Sequence, residues 1–171
     1  MKYEIKSCVD VDPDVLKDFM YEFEEHGEFC NAMWRAYEVG VPKWQVETNA
    51  HIFSEKERCV AFLVNGALAG VARITPKPRH IENGKIGYYL RPSFRKKKYA
   101  PVFLRLIEDF CAARSIDSPT AVTDIKNTAS IQALHCAGWI ETGNRYLWTT
   151  EERDRVAVEF APAKYDRSTF D

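Results

Sequence analysis

A strand that runs through a basic turn into an amphipathic helix constrains this chain more than any other feature. The segment from Ile86 to Ala100 begins with an apolar run that ends at Leu90, and basic side chains then cluster between Arg91 and Lys98. The residues that follow repeat apolar side chains at helical spacing, at Val102, Phe103, Leu106, Ile107 and Phe110. A helix start presents free N–H groups and the positive end of the helix dipole, so this arrangement is typical of a pyrophosphate site.

Patterning elsewhere predicts a mixed series of strands and helices. Alternation predicts a strand at 3–9, and Asp12 followed by Pro13 predicts the start of a helix over roughly 13–25. The dipeptide Asn65-Gly66 predicts a tight hairpin turn, because both residues tolerate positive φ. The other predicted elements are strands at 59–64, 67–75, 85–90, 120–125, 145–150 and 155–160, helices at 29–39 and 130–137, and a loop at 76–80.

Composition excludes several classes of protein. The 171 residues suffice for one domain, predicted at 1–161 with a polar tail at 162–171, and the net charge of -1 gives no global attraction to nucleic acid or membrane. The five cysteines show no CxxC or metal-type spacing, which predicts reduced thiols and no metal site. No apolar run approaches the roughly 20 residues of a membrane span, and the N-terminus lacks a signal-peptide pattern. We therefore expect a cytoplasmic protein.

A second motif narrows the fold. Asn127-Thr128-Ala129-Ser130 follows a predicted strand, and Gly138-Trp139 begins eleven residues after Asn127. With the basic turn and the hairpin, these residues resemble the GNAT family, the Gcn5-related N-acetyltransferases. Over nearly the whole chain, the resemblance implies the GNAT fold: a mixed α/β (α+β) domain with a central twisted mixed sheet flanked by helices. Its element order is β-α-α-β-β-β-α-β-α-β-β.

The resemblance implies acetyl-CoA as co-substrate. The family loop has the form Gln/Arg-x-x-Gly-x-Gly/Ala, and Arg95 and Ala100 match its ends. Lysines stand at two positions where the family commonly has glycine, at 96 and 98. A lysine there either crowds the cofactor or contacts its phosphates with the ammonium group. The implied cofactor-binding residues are Tyr89, Leu90, Arg95, Lys96, Lys97, Lys98, Tyr99, Ala100, Asn127 and Ser130.

The resemblance also implies direct transfer to an amine. In the family, acyl-pantetheine enters a gap that here corresponds to the space between strands 85–90 and 120–125. Backbone N–H groups near Tyr89 and Leu90 then polarise the thioester carbonyl. Asn127 lies near the pantetheine arm in the family, although a helix N-cap alone also explains an asparagine there. The amine must lose a proton before it attacks.

Proton transfer has no single candidate residue. Many relatives carry a tyrosine seven residues after the asparagine, and here that position is Leu134. The candidates are Glu82, Tyr88, Asp124 and His135, of which His135 also fits a partly exposed helix residue. Tyr88 and Tyr89 point to opposite faces of their strand, so one of them can line an acceptor site.

Three functions compete. The first is an N-acetyltransferase for a small-molecule or peptide amine, with a homodimer as a possible assembly because GNAT proteins often dimerise. The second is a catalytically inactive GNAT-fold protein that binds CoA or a protein partner in a regulatory role, as the missing loop glycines suggest. The third is a nucleic-acid-binding module built on the basic cluster, against which the net charge of -1 argues.

Overall fold

The computed structural model describes residues 1–25, 59–77, 80–149 and 154–163. The predicted helix at 29–39 lies outside these ranges. The strands are β1 (Tyr3–Ser7), β2 (Cys59–Val64), β3 (Ala67–Lys77), β4 (His80–Leu90), β5 (Thr120–Asp124), β6 (Trp139–Thr149) and β7 (Asp154–Pro162). The helices are α1 (Pro13–Glu25), α2 (Tyr99–Ala112) and α3 (Thr128–Cys136), with short 3-10 helices at Cys8–Asp10 and Pro92–Phe94.

The strands form one mixed sheet of seven strands in the order β1-β2-β3-β4-β5-β7-β6. β4 and β5 pair in parallel at Lys85 with Thr120 and at Ile86 with Ala121. The pairs β1-β2, β2-β3, β5-β7 and β6-β7 are antiparallel. The predicted mixed α/β class, with the GNAT order of elements in the part of the chain described, is confirmed.

The chain forms two compact units, which we call the N-terminal unit (1–74 with 87–97) and the C-terminal unit (75–86 with 98–171). In the N-terminal unit, β2 and β3 form the predicted hairpin, with Asn65 at φ 51° and Gly66 at φ 84°. All six residues of β2 are buried. On β3, a Cβ added at Gly70 would lie 2.4 Å from the carbonyl oxygen of Tyr89, so only glycine allows this approach of the backbones.

Helix α1 begins as the sequence predicts. The Oδ1 of Asp12 accepts a hydrogen bond from the backbone N–H of Asp14 at 2.9 Å, and Pro13 occupies the first helical position. Leu16 and Phe19 are almost completely buried, so their face of the helix packs into the core of this unit.

In the C-terminal unit, both helices pack on one face of the sheet. Trp139 lies opposite Pro162, and its indole N–H donates to the buried Oε1 of Glu108 on α2 at 2.6 Å. His135 on α3 meets the Phe160 ring edge-on, with centroids 5.2 Å apart. Phe160 and Pro162 are two residues apart on β7 and therefore share a face, so α2 and α3 lie on that same face.

Several boundaries differ from the predictions. β4 begins at His80 rather than at 85, and α3 begins at Thr128 rather than at 130. β1 ends at Ser7 rather than at residue 9, because the chain turns into the 3-10 helix at Cys8–Asp10. Pro76 and Lys77 continue β3, although a loop was predicted there. β6 begins at Trp139 rather than at 145, since an irregularity with Gly143 at φ 86° lets the strand continue past the glycine. Among the described helices, none combines the length and apolar character needed to span a membrane.

Candidate functional site

The basic turn has the backbone conformation that glycines favour. After the 3-10 helix at Pro92–Phe94, Lys96 adopts φ 59° and Lys98 adopts φ 61°, both in the left-handed region. These are the two positions at which the resembling family carries glycine. Each lysine pays roughly 1 kcal/mol for this conformation because of its Cβ. The turn therefore keeps a glycine-type backbone while adding two positive charges.

Positive charge lies next to a helix start where the turn becomes α2. Lys96, Lys97 and Lys98 are exposed, and the ammonium of Lys97 lies 6.0 Å from the centroid of the Phe94 ring. Lys98 is the N-cap residue and its side chain does not cap the helix, while the first turn holds no acidic residue. The first N–H groups of a helix have no partner within it, although Pro101 contributes none. The segment can therefore receive an anion such as a phosphate group.

Arg95 ties the turn to the end of β4. Its Nε donates to the carbonyl oxygen of Leu90 at 3.0 Å, and its guanidinium lies 4.8 Å from the centroid of the Tyr89 ring. The sequence predicted only a cofactor contact for Arg95. The structure gives it a positioning role as well, because both contacts hold the start of the turn against the strand.

Side chains at the end of β4 also contact α1. The ring of Tyr89 meets Phe19 edge-on at 5.6 Å, and the guanidinium of Arg91 lies 5.8 Å from the Phe19 centroid. The Nε of Arg91 donates to the carboxylate of Glu22. Tyr89 is thus the tyrosine of its pair that packs under a helix, and its predicted cofactor role, which concerns the backbone, stays a prediction.

Asn127 is the N-cap of α3. Its Oδ1 accepts a hydrogen bond from the backbone N–H of Ser130 at 3.1 Å, and its own N–H donates to the carbonyl of Asp124 at 2.8 Å. The N-cap role considered for this asparagine in the sequence analysis is therefore confirmed. It fixes a half-buried Asn127 at the point where the chain leaves β5.

The candidates for proton transfer occupy different environments. Tyr88 is half-buried on β4 in the N-terminal unit, whereas Glu82 lies on the part of β4 where the backbone alone is described. His135 is exposed in the last turn of α3, and Leu134, at the position of the family tyrosine, is fully buried. Asp124 lies 4.0 Å from the Nε of Arg155. Among the described candidates, His135 is exposed, and Tyr88 and Asp124 are both partly accessible.

A polar cluster on the last two strands was not predicted from the sequence. Glu159 on β7 is buried, and its carboxylate accepts hydrogen bonds from Thr142, Asn144 and Tyr146 on β6. Burial, the hydrogen bond to Glu159 and the charge of its carboxylate together raise the pKa of Tyr146 to about 12. The signal in the sequence is a single glutamate within the apolar run 156–161.

The known proteins to which this chain is similar include acetyltransferases. The family model described as the acetyltransferase (GNAT) domain matches residues 12–140. A ribosomal-protein-alanine N-acetyltransferase from Brucella melitensis is 16% identical with a TM-score of 0.72, and the match covers 92% of this chain and 98% of that one. A chimeric spermidine N-acetyltransferase from Vibrio cholerae is 11% identical with a TM-score of 0.71, covering 95% of both chains.

A third solved structure contains the cofactor. The acetyltransferase yncA from Salmonella typhimurium, solved with acetyl-CoA, is 14% identical with a TM-score of 0.69, and the match covers 94% of this chain and 93% of that one. At such low identity these structures establish the fold alone. Among curated proteins, none matches the sequence.

Proposed function

Because this chain belongs to the acetyltransferase (GNAT) domain family, we propose that it transfers an acetyl group from acetyl-CoA to a primary amine by direct attack in a ternary complex. The observation that carries this proposal is the turn before α2. Lys96 and Lys98 hold a left-handed backbone conformation at two positions where the family commonly has glycine, and three exposed lysines adjoin a helix start.

The residues of the turn suit a pyrophosphate. The ammonium groups of Lys96, Lys97 and Lys98 supply charge, and the start of α2 at Tyr99 and Ala100 places the positive end of the helix dipole beside them. We assign the acyl-pantetheine arm to the capped start of α3 at Asn127 and Ser130, and the predicted contact of the Leu90 backbone stays part of the proposal. Acetyl-CoA supplies an acetyl group activated as a thioester.

The proposed reaction moves the acetyl group from sulfur to nitrogen in one displacement. The amine nitrogen forms the new C–N bond to the acetyl carbon as the C–S bond breaks. An ammonium substrate gives up two protons in all, one to solvent and one to the departing thiolate. Glu82, Tyr88 and His135 are our candidates to carry these protons, directly or through water.

The acceptor is a primary amine of a small molecule or a peptide. The relatives named above act on the alanine of a ribosomal protein and on spermidine. These substrates share a primary amine that is cationic at neutral pH, which defines the class to be screened.

Calorimetric titration of acetyl-CoA tests the first half of this proposal. We expect micromolar binding by the wild-type chain and much weaker binding of pantetheine, which lacks the pyrophosphate. Replacing Lys96, Lys97 and Lys98 together by alanine is expected to weaken acetyl-CoA binding, whereas Lys2→Ala, at an exposed lysine on β1's flank, leaves it unchanged. Failure to bind at millimolar acetyl-CoA would overturn the proposal.

Release of CoA thiol in the presence of amines tests the second half. We expect release with either spermidine or an alanyl tripeptide. Tight acetyl-CoA binding without release for any amine would instead support the second function considered above, a catalytically inactive GNAT-fold protein with a regulatory role.

A further inference from the structure

The cluster around Glu159 is built to hold a negative charge inside the C-terminal unit. The side chain is 4% exposed. Its Oε1 accepts from Oγ1 of Thr142 and Nδ2 of Asn144, both at 2.9 Å, and its Oε2 accepts from the hydroxyl of Tyr146 at 2.8 Å. A buried carboxylate is costly unless donors compensate it, and here three donors from one bulged strand do so.

This cluster lies on the face of the sheet opposite the helices of its unit. Glu159 pairs with Val122 and alternates along β7 with Phe160, on which α3 packs. In the described part of the C-terminal unit, α2 and α3 both lie on the Phe160 face. Tyr146 shares the face of Glu159 through its partner Ala157, and it is 38% exposed. Tyr146 is therefore the accessible part of the cluster.

The register places Tyr146 level with the end of β5. Ala157 pairs with Tyr146 on one side and with Asp124 on the other, so the three residues form one row across the sheet. Asp124 is the last residue of β5, and Asn127 follows three residues later. The row thus ends beside the segment to which our proposed function assigns the acyl-pantetheine arm.

The chemistry of Tyr146 favours a cation. Its hydroxyl proton is directed to Glu159, so the phenol oxygen presents lone pairs and accepts rather than donates. The phenol is protonated at neutral pH, and its raised pKa of about 12 makes it a poor proton donor. The electron-rich ring face adds a second attraction for a positive charge.

A primary ammonium of the chain itself already lies on this ring. The Nζ of Lys85 is 5.7 Å from the centroid of Tyr146. Lys85 belongs to β4, and β5 and β7 separate that strand from β6, so its side chain extends across the sheet face. Besides Glu159, the charged side chains described on this face of β5 and β7 are Asp124 and Arg155. The Nε of Arg155 lies 4.0 Å from the Asp124 carboxylate, so the two charges offset each other.

We propose that Tyr146, held by Glu159, binds the ammonium group of a cationic acceptor, and that Lys85 occupies this place when the acceptor is absent. The inference deepens the proposed function, on which it rests, by naming the residues that bind the ammonium group of the acceptor. Two sources share this chemistry, a polyamine and the α-ammonium group of a peptide.

Direct titration of spermidine and of an alanyl tripeptide into the protein without acetyl-CoA tests the proposal. Tyr146→Ala is expected to weaken binding of the true source about tenfold, by loss of the cation–π contact and the phenol oxygen. Lys85→Met removes the competing ammonium with similar volume, so we expect binding to strengthen several-fold. Leu147→Ala, at a neighbouring residue that is 65% exposed on the other face, serves as control and leaves the affinity unchanged.

Tyr146→Ala is expected to lower the affinity for the amine, and Lys85→Met is expected to raise it. These opposite effects distinguish amine binding from a loss of folding, because a merely structural role would not make Lys85→Met bind more tightly. Glu159→Gln is expected to weaken binding too, and Tyr146→Ala keeps the test valid if that buried variant fails to fold. No binding of either probe at millimolar concentration, or equal affinities in wild type, Tyr146→Ala and Lys85→Met, would overturn the inference.

Acetyl-CoA titration and thiol release distinguish this failure from failure of the proposed function. Transfer with an amine KM unaffected by Tyr146→Ala would refute the inference and leave the acetyltransferase proposal in place. Amine binding that depends on Tyr146, in a protein that does not bind acetyl-CoA, would refute the acetyltransferase proposal and leave the ammonium site at Tyr146 in place.

Discussion

Replacing Lys98 separates the two effects that this residue combines, a strained backbone and a positive charge. Lys98 adopts φ 61° and ψ 23°, a conformation that costs a residue with a Cβ about 1 kcal/mol more than glycine. Lys98→Ala removes the charge and keeps the strain, whereas Lys98→Gly removes both. We therefore expect the free energy of unfolding of Lys98→Gly to exceed that of Lys98→Ala by about 1 kcal/mol. This difference corresponds to a Tm that is roughly 2–4 °C higher.

Lys97 provides the matched control, since it is exposed and adjacent but is not among the residues with positive φ. There the order should reverse, with glycine less stable than alanine by about 0.5–1 kcal/mol. Thermal unfolding of the four variants measures this. Equal Tm values for Lys98→Gly and Lys98→Ala would refute the argument that the left-handed backbone at Lys98 is strained.

Binding of acetyl-CoA measures how much the positive charge of Lys98 contributes to affinity. An exposed ammonium near a phosphate contributes about 1 kcal/mol or less, so both Lys98 variants are expected to bind acetyl-CoA up to about fivefold more weakly. The loss should shrink at high salt, because screening weakens the attraction in the wild type as well. Tighter binding by Lys98→Gly than by wild type would show that the lysine crowds the cofactor and would reverse our assignment.

Three further predictions follow from single contacts. Gly70→Ala places a Cβ 2.4 Å from the Tyr89 carbonyl oxygen and should lower the unfolding free energy by about 1–3 kcal/mol in denaturant titrations; an unchanged value would mean that the backbones can separate there. Asn127→Ala should cost about 1 kcal/mol through loss of the cap, and Asn127→Asp should retain it, so equal losses in both variants would argue against capping. The phenol of Tyr146 should titrate near a pKa of about 12 in difference spectra against Tyr146→Phe. Because this folded-state pKa lies above the usual ~10, its stabilising contribution is present below pH ~10 and is lost as pH rises toward the folded value; titration at the usual value would contradict the hydrogen bond to Glu159.

Local patterns predicted much of the fold. Asn65-Gly66 predicted its hairpin, and Asp12-Pro13 predicted the start of α1, because these signals depend on backbone preferences of the residues themselves. The early start of β6 was missed, since Gly143 reads as a break and only the paired strand β7 holds the chain extended on both sides of it.

The candidate site was predictable only in part. The motif around Arg95–Ala100 located the turn, yet lysine side chains give no local sign that positions 96 and 98 take positive φ. That conformation follows from the turn as a whole, between the contacts of Arg95 and the start of α2. The partners of Glu159 depend on the register of two strands and on a bulge, neither of which the sequence specifies on its own.

The irregularity around Gly143 also bears on self-association. Among the strands that the structure describes, β6 is last in the sheet, so one side of its eleven residues offers backbone groups to any extended chain. A regular strand of that length is a template for edge-to-edge aggregation. Here the left-handed Gly143 interrupts the row of donors and acceptors, and Glu141 and Arg145 flank the interruption with charge. The bulge that collects donors for Glu159 therefore also shortens the uninterrupted edge on which an amyloid-like contact could grow.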